Sequence, residues 1–319
     1  MSTEPLPPSQ PTFADRRAGL VVFGVLGILF GCLCALMLPL MWVGLTVNAK
    51  ATGAPVDHGA MLSGGLIYGS MAVVFVWLGI GSIMCRRWAR ALMLIVSWSW
   101  LLVGVMVAGF SVTLMPRVFE TVQAGPGKAG IIVMFVFLGI VFIIIPSVLT
   151  CFYQSRHVKA TCEARDPVRR WTDACPLPVL AASLWLSLGA LCMLPMPLAY
   201  KSVLPFFGTL LTGLPAMLFY VVWAAGSLWL AWAFYRLMPA AWWIVVVAFL
   251  LFSVSNSITF AQIDIMEMYR LMGYPQKQLE EMQKFNFLSG KGMAVWTALC
   301  MAPWLGYLLW IKKFFRRSA

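Results

Sequence analysis

The chain alternates between long uncharged runs and short polar punctuation, and the runs are close to or above the ~20 residues that carry a helix across ~30 Å of hydrocarbon. Eight such runs are predicted as spans: residues 18–49, 61–84, 91–115, 130–153, 177–200, 208–235, 240–260 and 293–310. Helices are expected throughout, because they satisfy their own backbone hydrogen bonds in lipid. The short alternating segments of a membrane β-barrel are absent from the sequence. Pro39, Pro215 and Pro239 fall within or at the start of spans as bends or helix openings, and Gly65 and Gly69 have the spacing for close helix contact.

The one large polar island, residues 154–176, divides the runs four and four. The two sets share matches in register. Val76-Trp77 recurs as Val222-Trp223, Arg90 as Arg236, and Ser111-Val112-Thr113 as Ser257-Ile258-Thr259, each 146 residues on. Upstream, Met37-Leu38-Pro39 recurs 156 residues on, and downstream Gly127-Lys128 recurs 163 residues on. The expected fold is therefore an all-α integral membrane protein. It would be an eight-transmembrane-helix bundle of two parallel four-helix repeats, with a pseudo-two-fold axis along the membrane normal. Its parts are a disordered cytoplasmic N-terminus (1–17), a first repeat (18–153), a cytoplasmic basic linker (154–176), a second repeat (177–311) with an outer loop (261–292), and a basic tail (312–319).

Composition agrees with a membrane domain: 61% of the 319 residues are hydrophobic and only 11% are charged, against about 25% in soluble domains. The net charge of +12 lies in short loops beside the spans, which sets topology and does not build a nucleic-acid surface. With the N-terminus inside, 15 of the 23 basic residues fall on the cytoplasmic side. Half of the remaining eight sit in one long loop, where the rule carries less weight. Both termini are thus expected in the cytoplasm, and the compact loops suggest a bacterial inner membrane. Of the eight cysteines, four lie in spans as small hydrophobes and four fall on the reducing side.

No ionisable residue lies in the central part of any predicted span, which argues against proton relays and intramembrane catalysis. The chain contains no G-x-x-x-x-G-K-[ST], H-E-x-x-H or G-x-S-x-G motif. Cys151, His157, Cys162 and Cys175 lack the paired spacing of zinc ligands, so neither a metal nor a cofactor is expected.

The best polar feature is in the seventh span. At ~100° per residue, Ser253, Asn256, Ser257, Asp264 and Glu267 share one stripe. It could contact a solute or a partner, or serve only helix–helix hydrogen bonding. The outer loop reads as two short amphipathic helices broken at Gly273-Tyr274-Pro275, with Met266, Met268, Met272 and Met282 as a flexible apolar face, suited either to a lipid surface or partner groove or to a helical cap packed on the bundle. The basic cluster of the linker (Arg156, Lys159, Arg165, Arg169, Arg170) suits anionic lipid headgroups. The leading expectation is a non-catalytic membrane component, not an enzyme, that docks a protein or lipid partner or a second copy of itself. The alternative is a permease-like carrier or pore for an uncharged or lipophilic solute.

Overall fold

The computed structural model describes residues 13–52, 58–121, 126–199, 201–274, 276, 279–280, 283 and 290–315. The expected disordered tail, most of the second outer-loop helix with Met282, and Arg316 and Arg317 lie outside these residues. The described chain is almost entirely helical. In order it forms α1 (Arg17–Thr52), α2 (His58–Ile83), α3 (Arg87–Thr121) and α4 (Pro126–Gly139), then a π-helical turn (Ile140–Ile144) running into α5 (Ile145–Gln154). Next come α6 (Arg156–Arg165), α7 (Leu177–Met193), α8 (Met196–Ala199), β1 (Leu204–Phe206) and β2 (Thr209–Leu211). The chain ends with α9 (Leu214–Tyr235), α10 (Pro239–Gln262), α11 (Ile265–Met272) and α12 (Gly290–Phe315).

Seven helices among the described residues are long and apolar enough to cross a membrane. The fifth expected span departs from the pattern. Its helix α7 has 17 residues, about 26 Å at 1.5 Å per residue. The helix stops before Pro195, and α8 and β2, the second strand of a β-hairpin, occupy residues that the apolar pattern had given to spans five and six.

Two compact units emerge from the contacts. Unit 1 comprises Met1–Met41, Ile67–Val105 and Met134–Thr172; unit 2 comprises Trp42–Leu66, Met106–Val133 and Asp173–Ala319.

In unit 1, α1 crosses α2 through small residues seven apart on each helix. A Cβ on Gly24 would lie 2.7 Å from the Gly79 carbonyl oxygen, and one on Gly31 would lie 2.9 Å from that of Ala72. The glycines singled out from sequence spacing, Gly65 and Gly69, have open space around them. The Ser82 hydroxyl donates to the Leu20 carbonyl oxygen (3.0 Å), which leaves it to accept from the fully buried Tyr153 hydroxyl at 2.7 Å.

The π-helical turn has a local cause. Pro146 has no N–H to give the Phe142 carbonyl, the helix widens, and the Ile145 N–H bonds the Ile140 carbonyl oxygen instead. Gly104 of α3 faces the released oxygen, where any Cβ would overlap it.

Unit 2 packs α7 on α9, where Ser183 donates to the Ala231 carbonyl oxygen (2.7 Å), and α10 on α12, where the Trp242 indole donates to that of Leu308 (2.7 Å). An aromatic ladder runs Phe206–Phe219–Trp223–Phe252, with ring centroids 5.5–5.8 Å apart. Tyr220 donates to the Val203 carbonyl oxygen (2.9 Å) and ties the start of the hairpin to α9.

The turns after α2 and after α9 have the same geometry. Cys85 (φ 53°) and Leu237 (φ 57°) are left-handed, and the next residue's N–H reaches back five positions, Arg86 to Gly81 and Met238 to Ala233. These turns are 152 residues apart, whereas the sequence matches are 146 apart. The 146 register sets Arg236, in the second turn, against Arg90, in the first helical turn of α3.

Candidate functional site

The five residues of the expected stripe do not converge. Asn256 is 6% exposed, and its amide nitrogen donates to the Phe252 carbonyl oxygen of its own helix at 2.8 Å. Ser253 and Ser257 are half-buried on α10. The helix ends at Gln262, and Asp264 begins another: its carboxylate accepts from the Met266 N–H (3.0 Å) as the N-cap of α11. Glu267 follows, exposed, in the first turn of α11, where a negative charge suits the helix N-terminus.

The organising pair on α10 is instead Ser255 and Thr259, which the stripe omitted. Both are buried. The Ser255 hydroxyl accepts from the Phe207 N–H, and the Thr259 hydroxyl accepts from the Gly208 N–H, each at 2.9 Å. Thr259 also donates to the Ser255 carbonyl oxygen (2.8 Å). Phe207 (φ 40°) and Gly208 (φ 84°) are both left-handed, the two-residue turn that suits a tight hairpin. Such a turn leaves its central N–H groups without strand partners, and two hydroxyls one helical turn apart receive them. The sequence signal was present as Phe206-Phe207-Gly208 beside an i, i+4 hydroxyl pair. The apolar residues of β2 hid the second half of the hairpin within the start of the sixth expected span.

The amphipathic helix expected from residue 265 is α11, and it stops as the sequence indicated. Gly273 (φ 86°) is left-handed, and the Tyr274 N–H reaches the Tyr269 carbonyl oxygen (3.1 Å). Met266 packs inward and is buried, while Leu271 is exposed.

In unit 1 the basic linker is folded. Helix α6 holds the N-terminal segment: the His157 Nδ1 accepts from the Ala14 N–H (3.3 Å), and Thr161 Oγ1 accepts from the Arg16 N–H (3.1 Å). Arg165 pairs with Asp15 at 2.9 Å, and this hydrogen bond, with a second from the Arg17 N–H, holds the Asp15 carboxyl below its ordinary range. Asp166, 2% exposed, lies 3.5 Å from Arg86 and 3.8 Å from Arg170 and accepts the Arg87 N–H (3.3 Å) that opens α3.

Burial pushes the Cys162 thiol up to about 12 and the Cys175 thiol to about 11, and it also raises Cys85. These thiols are therefore protonated, poor metal ligands and poor nucleophiles at neutral pH. Among the described residues, no three His, Cys, Asp or Glu side chains gather as a metal set.

The fold defines a helical, multi-pass membrane protein. No protein-family model, curated protein or solved structure matches the chain.

Proposed function

We propose that this chain is a non-catalytic membrane scaffold that docks a protein or lipid partner through the elements following α10. The observation that carries the reading is the use made of the polar side chains on and after α10. Asn256 is bonded within its helix, Ser255 and Thr259 hold the hairpin, and Asp264 caps α11. Asn256, the buried member of the lining that a solute path would use, is thus occupied as a structural connection. What remains outward is α11 with exposed Leu271, Glu267 and Arg270.

Within this reading α7 is the eighth span, slightly short, and the two halves are parallel repeats. The matching turns and the small residues Gly79 and Ala231, each six positions before its left-handed residue, support that. Both termini face the cytoplasm of a bacterial cell, on the charge count, and the basic face of α6 meets anionic headgroups.

The test is deletion of residues 262–287 followed by affinity purification from gently solubilised native membranes. Loss of a co-purifying protein or lipid supports the scaffold, and an unchanged set of associations removes it. Asn256→Leu addresses the carrier alternative: abolished solute flux in a correctly inserted variant would favour transport.

A further inference from the structure

We propose that the end of unit 2 formed by the α9–α10 turn and the last turn of α12 binds the phosphate of an anionic phospholipid. Three cations are carried by these helix ends. The Lys312 ammonium sits 4.5 Å and 4.3 Å from the ring centroids of Trp242 and Trp243, inside the corner that these rings make at 78°. The Lys313 ammonium lies 4.5 Å from the Trp310 ring and 5.2 Å from the Phe314 ring, and Arg236 stands over Trp232 at 5.7 Å. The buried edge-to-face contact of Phe234 with Phe315, centroids 5.0 Å apart, joins the ends of α9 and α12 that carry these cations.

Two features distinguish this cluster from an ordinary basic tail. Trp242 is buried and fixed by its hydrogen bond to Leu308, so it forms a rigid wall for Lys312. Among the described residues, no carboxylate pairs with Arg236, Lys312 or Lys313. The ring faces satisfy one side of each ammonium and leave N–H donors for an acceptor, which a phosphodiester supplies. The first turn of α10 adds the positive end of a helix dipole. Trp232, Trp243 and Trp310 are exposed beside the cations, as indoles are where headgroups begin. A membrane lipid is therefore the occupant in place of a soluble anion.

The site uses none of residues 262–287, so its failure and that of partner docking are read separately. The full chain is delipidated in detergent and reconstituted with phosphatidylcholine containing a minor fraction of phosphatidylglycerol. It is then re-extracted, and retained lipid is counted by native mass spectrometry. Wild type should hold phosphatidylglycerol above its bulk fraction. The K312Q/K313Q variant should lose about tenfold in that preference, about 1.4 kcal/mol. Lys312→Arg should keep it, and Trp243→Leu, with all charges present, should weaken it. Unchanged retention in K312Q/K313Q overturns the proposal. So does equal thermal stabilisation of the lipid-free protein by inorganic phosphate, which would mark a site for soluble anions.

Discussion

Removing the Asp166 carboxylate tests whether the linker is a folded part of unit 1. Asp166→Ala deletes the acceptor of the Arg87 N–H, a helix-cap contribution of about 1 kcal/mol. It also removes two ion pairs, to Arg86 and Arg170, whose side chains are 35% and 38% exposed. Because both guanidiniums can hydrate once released, the ~3–5 kcal/mol cost of stranding a buried partner does not apply. Each pair is instead worth about 0.5 kcal/mol, the scale of an exposed pair. The sum is about 2 kcal/mol on local opening, or roughly 30-fold faster amide exchange at the start of α3. Asp166→Asn keeps a capping oxygen and should lose only about half, roughly 5-fold. The assay is hydrogen exchange by mass spectrometry on a peptide spanning residues 84–92, with an α12 peptide as the unchanged reference. Exchange equal to wild type in Asp166→Ala would refute the capping argument. A loss above about 4 kcal/mol would refute the hydration argument, because it would mean that the arginines stay buried without their partner.

Ser255→Ala with Thr259→Val should free the hairpin and speed exchange at Phe207 and Gly208 by tenfold or more, at about 1–3 kcal/mol per stranded N–H; unchanged exchange there would remove these hydroxyls as its anchor. Gly104→Ala should lower the detergent thermal midpoint, since overpacking costs about 1–3 kcal/mol, while Gly189→Ala and Gly306→Ala, with open space around them, serve as neutral controls. Cys162 titrates higher in the folded state than as a free thiol, so its contribution is complete below the ordinary thiol value of 9.0 and is lost as pH rises towards about 12. Thermal scans across that alkaline window should show a shallower decline for Cys162→Ala than for wild type. Asp15 has the opposite sign: its lowered value means that the clasp on α6 holds above the usual carboxylate range and opens only on stronger acidification. Asp15→Asn should raise exchange at the Arg16 amide at neutral pH.

The spans were legible because they need only length and apolarity, which the residues state directly. The boundaries that failed did so where apolar residues form something other than a span. The segment 204–211 is hydrophobic enough to extend a helix, yet Phe207-Gly208 takes two left-handed conformations and turns the chain. Glycine spacing misled in the same way. Gly65 and Gly69 have the pattern of a crossing, but the close approach falls at Gly79, opposite Gly24. Which glycine meets a neighbour depends on the rotation of two helices, and one sequence does not record that. The stripe was read at helical spacing through residue 267. A helical wheel groups residues by angle, but Asp264 and Glu267 lie beyond the end of that helix, and Asp264 starts the next.

Four polar side chains within the helices follow one rule that no motif search would find. Ser82, Ser183, Trp242 and Asn256 each send a donor to a backbone carbonyl oxygen, on a neighbouring helix for the first three and on its own helix for the last. In hydrocarbon an unmet donor costs several kcal/mol, and carbonyl oxygens are the acceptors always at hand, each with a second lone pair. Where the helix itself releases a carbonyl, at Phe142, the answer is the reverse: Gly104 of the facing helix approaches closely. Donors spent on the backbone in this way favour fixed helix contacts, and that is the physical ground for proposing a scaffold. A carrier has to exchange such contacts between states. Thermal midpoints of Ser82→Ala and Ser183→Ala therefore separate the two designs. A scaffold should lose about 1 kcal/mol or more at each site, since each hydroxyl leaves a buried crossing, whereas contacts that break during transport should be near neutral.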